Sequence, residues 1–216
     1  MENKISKRIQ YPFYKTLILD VDGVIFDSNK IKESNIHKAV KAIINLEVAN
    51  EFTPYFINLS GIPRENKINS FFADQPDTAR QILQYYNELN DQSLQNIKLT
   101  RNAESFIKTY YERFPIIALS GGALNEIKHL FDINNLTYYF KYIFGGPKTK
   151  EENIKGIKLE KPVLYIGDSI VDYEVSNKIN ADFLFMYGYT GLLNWKEFVK
   201  NNDQIEVIKN LQQLLK

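Results

Sequence analysis

Leu17-Ile-Leu-Asp20-Val-Asp22-Gly-Val-Ile-Phe-Asp-Ser28 sets an apolar run against two carboxylates and a glycine. Short apolar runs bounded by turn signals read as buried strands, so a strand is predicted over Leu17–Val21. Gly23 lets the backbone turn sharply, which leaves Asp20 and Asp22 at the carboxyl end of that strand. Ligands of open α/β sheets bind at this edge. Asp-x-Asp-Gly also suits an ordinary solvated turn, and these four residues alone do not separate the two readings.

Downstream of Ser28 the period changes. Ile31, Ile36, Ala39, Val40, Ile43 and Ile44 approximate a helical stripe, which Pro54 and Gly61-Ile-Pro63 are expected to interrupt. Further helices are predicted near Glu65–Phe72 and Thr78–Leu89, followed by a polar connection over Asp91–Leu99. Ala103, Phe106, Ile107, Tyr110 and Tyr111 mark another helix. From Pro115 onward strands and helices alternate. Strands are read at 116–119, 142–144, 163–166, 183–186 and 207–208. Helices are read over 124–131, from Lys150, over 170–179 and over 192–199. Such alternation implies an α/β fold, a doubly wound parallel sheet covered on both faces. The helical stretch breaks that rhythm between the first two strands and reads as an inserted all-α cap. The expected division is a core of residues 1–28 and 100–216 and a cap of residues 29–99.

Composition narrows the chemistry. The chain has 216 residues, 44% of them hydrophobic, enough for a real core, and a net charge of +1. That balance gives no electrostatic case for nucleic acid or an anionic membrane. No apolar run approaches the ~20 residues of a membrane span, and Met1–Arg8 is not followed by a signal-peptide apolar region. A cytoplasmic location is the expectation, with no obligate protein partner inferred. Zero cysteines exclude disulfides, thiolate metal sites and a cysteine nucleophile, and the two histidines, His37 and His129, lie far apart. Catalysis falls to carboxylates, hydroxyls and lysines.

Four predicted strand ends carry such groups. The first bears Asp20 and Asp22, and the second Ser120-Gly121-Gly122. The third leads into Lys148-Thr-Lys150, and the fourth into Gly167-Asp168-Ser169-x-x-Asp172. In a parallel sheet all four lie on one edge. Phosphoryl transfer needs this kind of set: a carboxylate nucleophile, a second acid for the leaving oxygen and the attacking water, oxygen ligands for magnesium, and hydroxyl, amide and lysine contacts to the phosphoryl oxygens.

In these motifs and their order, over nearly the whole chain, the sequence resembles the haloacid dehalogenase-like hydrolase superfamily. The resemblance implies a Mg²⁺-dependent phosphohydrolase with Asp20 as nucleophile and Asp22 as general acid/base. Gly23, Ser120 and Gly121 would sit with Asp20 around the phosphoryl group. Asp168 would ligate the metal together with the Asp20 carboxylate and the Asp22 main-chain carbonyl, and Asp172 would act on it directly or through water. The active-site lysine would be Lys150, with Lys148 the alternative. Ser120 stands 100 positions after Asp20 and Lys150 only 30 after Ser120, which resembles the phosphoglycolate phosphatase-like and β-phosphoglucomutase-like branch with its cap after strand one. Asp22 argues against dehalogenation, since halide leaves without an acid. The implied substrate is a small phosphorylated metabolite. A phosphosugar mutase and a non-catalytic phospho-ligand binder remain the alternatives. In the cap, Asn58–Lys67 presents Arg64 and Lys67, read either as reaching a second anionic group of the substrate, with Arg64 the expected contact, or as part of an ordinary loop entering a helix.

Overall fold

The computed structural model describes residues 13–215; Met1–Arg8, with the reading of their charge, lies outside them. Strand β1 (Thr16–Leu19) is buried along its whole length. Its side chains alternate between two cores, Leu17 and Leu19 on one face and Ile18 on the other, as the two-residue period of a strand requires. The sheet contains β4 (Ile116–Ala123), β5 (Tyr142–Gly146), β6 (Val163–Gly167), β7 (Asp182–Met186) and β8 (Glu206–Ile208), in the order β5-β4-β1-β6-β7-β8. Every pairing is parallel. Helices α5 (Ala103–Tyr110), α6 (Leu124–Ile133), α7 (Lys150–Ile154), α8 (Ile170–Lys178) and α9 (Trp195–Lys200) connect the strands. The doubly wound α/β reading therefore holds. β4 and β6 flank β1 and the strand order runs outward from it on both sides, so the carboxyl end of β1 lies at the switch point where such sheets open a crevice.

Between β1 and α5 stand four α-helices: α1 (Asn29–Ile43), α2 (Leu46–Asn58), α3 (Arg64–Phe71) and α4 (Pro76–Ser93). They share a core of their own, built on Ile36, Val40, Phe52, Phe56, Ile68, Ile82 and Tyr86. The chain enters this bundle through β2 (Phe26–Asp27) and leaves it through β3 (Lys98–Leu99), which pair antiparallel, Phe26 opposite Leu99. Thr100 fastens the return: its amide donates to Ile25 O (2.9 Å) and its hydroxyl to Val24 O (2.5 Å).

Several boundaries differ from the sequence reading. Pro54 interrupts nothing, because it lies inside α2. It sits on the exposed face, while Phe52, Phe56 and Ile57 bury the other, and that burial outweighs the lost backbone bond. The break falls instead at Asn45, whose side chain caps α2 by accepting from Val48 N (2.9 Å). β1 stops at Leu19, although Asp20 N still donates to Ile166 O at 2.9 Å. β4 runs on through Ser120–Gly122 with a shift of register after Leu119. The late helix starts at Trp195 rather than Leu192. Among the described residues no helix is long and apolar enough to cross a membrane.

Candidate active site

Asp20 leaves the sheet buried, at 3% exposure. Its Oδ1 accepts the Val21 amide at 2.7 Å and lies 2.8 Å from Lys150 Nζ; neither contact uses Oδ2. Lys150 opens α7, where Thr149 and Glu152 form a reciprocal capping box that fixes the helix start. Its ammonium also reaches Asp172 Oδ1 at 2.5 Å. Asp172 is held on every side. Tyr165 OH donates to Oδ1 (2.7 Å), and Oδ2 accepts the amides of Asp168 (3.2 Å) and Ser169 (3.1 Å) and the Ser169 hydroxyl (2.6 Å). This second capping box, at the start of α8, ties the helix terminus to the lysine.

Asp168 completes the acidic group. One carboxylate oxygen from each of Asp20, Asp168 and Asp172 falls within 4.8 Å of the others. Asn29 at the start of α1 donates to Asp168 Oδ2 (2.9 Å) and to Tyr189 O (2.9 Å), and the Thr190 hydroxyl donates to Asp168 O (2.6 Å). Gly23 has φ +78°, and a Cβ there would stand 2.1 Å from Asp168 Oδ2. Both the turn and the close approach of the carboxylate require glycine. Three buried carboxylates face one ammonium. Burial pushes the Asp20 carboxyl up, Asp172 adds to the rise and Lys150 opposes it, leaving the pKa at about 7. Asp168 is raised well above the usual carboxylate range, by burial first and then by Asp20 and Asp172. An all-oxygen donor set with uncompensated negative charge suits a hard divalent cation such as Mg²⁺.

Asp22 faces the same cavity from the β1 turn. Ser28 donates to its Oδ1, and Lys32 of α1 reaches the same oxygen at 2.5 Å. Burial pushes its carboxyl up, but Lys32 and Ser28 outweigh that and hold the pKa below its ordinary value. Ser120, 1% exposed, accepts the Gly122 amide at 2.9 Å, and Ser120, Gly121 and Gly122 line the cavity wall. Lys150 is therefore the lysine brought to the acidic group; Lys148 is exposed on the preceding turn. Sequence reasoning missed Asn29, Lys32 and Tyr165, which sit inside helix or strand patterns with no motif of their own. The only signal was chemical: three polar groups on elements that start at, or run into, the acidic edge.

The helical bundle closes over this cavity. A Cβ on Gly121 would meet Gly61 O at 2.3 Å, and Gly61 itself has φ +91° with Val171 packed against it. Arg64, the expected substrate contact, lines the cavity, but its guanidinium is taken up elsewhere. It forms a fork on Glu126 of α6 (2.5 and 2.6 Å), reaches Asn87 Oδ1 (2.7 Å) and stacks 5.0 Å from the Tyr86 ring. The structure thus gives Arg64 a clasp between bundle and sheet layer.

The family model for haloacid dehalogenase-like hydrolases matches residues 17–186. Among curated proteins nothing matches the sequence. Solved structures share the fold. A predicted phosphatase from Clostridium acetobutylicum superposes with a TM-score of 0.73 at 18% identity, over 93% of this chain and 96% of its own. A hydrolase from Pseudomonas syringae gives 0.72 at 17% identity, with the same coverage of each chain. The magnesium-bound YfnB protein of Bacillus subtilis gives 0.65 at 16%, again over 93% and 96%.

Proposed function

For a chain that belongs to the haloacid dehalogenase-like hydrolases, we propose hydrolysis of a small phosphate monoester through an aspartyl-phosphate intermediate. The observation that carries this reading is the double contact of Lys150 with Asp20 and Asp172 beside Asp168, with Asp20, Asp22, Ser120 and Asp168 lining one cavity. Asp20 Oδ2, the oxygen that Val21 and Lys150 leave alone, attacks phosphorus. The P–O bond to the alcohol breaks, and Asp22 supplies the proton that the departing oxygen takes up. Water then attacks the acyl-phosphate, Asp22 accepts its proton, and inorganic phosphate leaves with Asp20 restored. Lys150, Ser120 and the backbone at Gly23 and Gly121 hold the phosphoryl oxygens. Lys32 holds Asp22 ionised in this state, so it must release the carboxylate, which takes up a proton from solvent before handing it to the departing oxygen. Asp20, Asp168 and the Asp22 carbonyl would hold Mg²⁺, with Asp172 behind them fixing Lys150 and the helix start. When bound, the ion neutralises charge on the phosphoryl group and the carboxylates. Residues 29–99 act as a cap that excludes bulk water, held by the Arg64–Glu126 clasp.

Phosphate release from a broad panel of monoesters tests this, comparing wild type with Asp20→Asn, each with Mg²⁺ and with EDTA. The expected result is turnover that requires both the carboxylate and the metal. Turnover that survives Asp20→Asn overturns the covalent route, and isomerisation of a phosphosugar without phosphate release would make the chain a mutase.

A further inference from the structure

Three cations of the helical bundle reach the cavity: Lys32, Arg64 and Lys67. Two are spent, Lys32 on Asp22 and Arg64 on Glu126. Lys67 of α3 is not. It is 6% exposed, and its ammonium donates a single hydrogen bond, to Phe56 O at 3.1 Å, with the Phe56 ring centroid 3.5 Å away. An ammonium has three donors, and among the described residues Lys67 joins no ion pair. Burying a cation without a counter-charge is costly, and a carbonyl and a ring face return only part of that cost. Burial pushes its pKa down to about 7, with Lys32 and Arg64 acting in the same direction and Asp22 and Glu65 against it. Of the three residues that α3 buries, Ile68 is apolar and Arg64 has its counter-charge, which leaves Lys67 as the exception. A lysine kept at this place, on the cavity wall, is short of one negative charge.

We propose that Lys67 selects the substrate, by pairing with a carboxylate on the alcohol portion of the phosphate ester. The proposal rests on the phosphatase reading and names the class of ester it takes. The phosphoryl end already has Lys150 and Ser120, so Lys67 is free for the other end of the molecule. The unmatched charge is a single one, which fits a carboxylate better than a second, doubly charged phosphate. Lys32 and Arg64, the other bundle cations on this cavity, are each held by a carboxylate of the protein, so among the described residues Lys67 is the bundle cation left to receive one from the substrate.

The test uses three ester series of one to four methylenes: ω-carboxyalkyl phosphates, ω-hydroxyalkyl phosphates of equal length, and alkane bisphosphates. Each is assayed with wild type, Lys67→Met and Lys67→Arg. Wild type is expected to favour one carboxylated length over its hydroxyl counterpart by about tenfold to a hundredfold in kcat/KM, the range of a charge-assisted hydrogen bond. In Lys67→Met that ratio falls towards one, chiefly through KM, and Lys67→Arg restores part of it. Equal kcat/KM for the two series in wild type overturns the proposal, as does preference for the bisphosphates. A ratio left intact in Lys67→Met makes the lysine merely structural and overturns it too. Should no ester turn over, the phosphatase reading fails by itself. Calorimetric binding of ω-carboxyalkyl phosphonates against alkyl phosphonates then decides: preference lost in Lys67→Met supports the proposal, and equal affinity overturns it.

Discussion

Lys67 makes a second prediction that needs no substrate. Its folded pKa of about 7 lies below the ordinary lysine value of 10.5, so between those pH values the unfolded chain binds more protons than the folded one. Stability must then rise with pH across that window, by at most about 1.4 kcal/mol per pH unit. Urea unfolding from pH 6 to 9.5 should show wild type gaining on Lys67→Met as pH rises; a constant difference between the two would mean that the ammonium is solvated. At this scale the sequence was legible wherever chemistry forced a residue type. Asp20, Asp22, Ser120, Asp168 and Asp172 were named from strand ends, and all five come to one place. Lys148 and Lys150 were not separable by spacing, because both stand beside the same turn; the capping box at Thr149 aims only the second inward. Arg64 was legible as a cation near the cavity but not as a clasp, since Glu126 lies 62 positions away inside an amphipathic stripe.

Among elements, that clasp governs how bundle and sheet layer hold together. Both partners are almost fully buried, with side-chain exposures of 5% and 4%. Removing one leaves the other charge stranded, at a cost of about 3–5 kcal/mol. Arg64→Ala and Glu126→Ala should each destabilise by about that much in chemical denaturation, and the double variant by less than the sum of the two. Strict additivity would show that the pair contributes no coupling. The elements themselves were readable where periodicity was strong, as in β1, β6 and α4. They were misread where a local breaker met a tertiary reward. Pro54 argued for a helix end, but Phe52 and Tyr55 pack on Phe71 of α3, a partner outside any local window, and that packing keeps α2 intact.

On the scale of the whole molecule, the acidic group is a reservoir of unbalanced charge at the centre of the fold. A cation that binds the folded chain alone stabilises it by mass action, about 2.7 kcal/mol at a hundred times its dissociation constant. Thermal unfolding should therefore shift upward by several degrees in Mg²⁺ and return on adding EDTA, and Asp168→Asn should abolish the shift. A melting temperature indifferent to Mg²⁺ would count against a metal at this group. The β2–β3 ribbon has a consequence of another kind. Because Phe26 and Leu99 lie opposite each other, the bundle begins and ends at a single point on the rest of the protein. Recombination can exchange everything beyond that point without disturbing a single parallel strand pairing. A lineage that made the exchange would keep Asp20, Ser120, Lys150 and Asp168 where they stand, and would have to replace only the grip of Asn29 and Lys32 on the acidic edge.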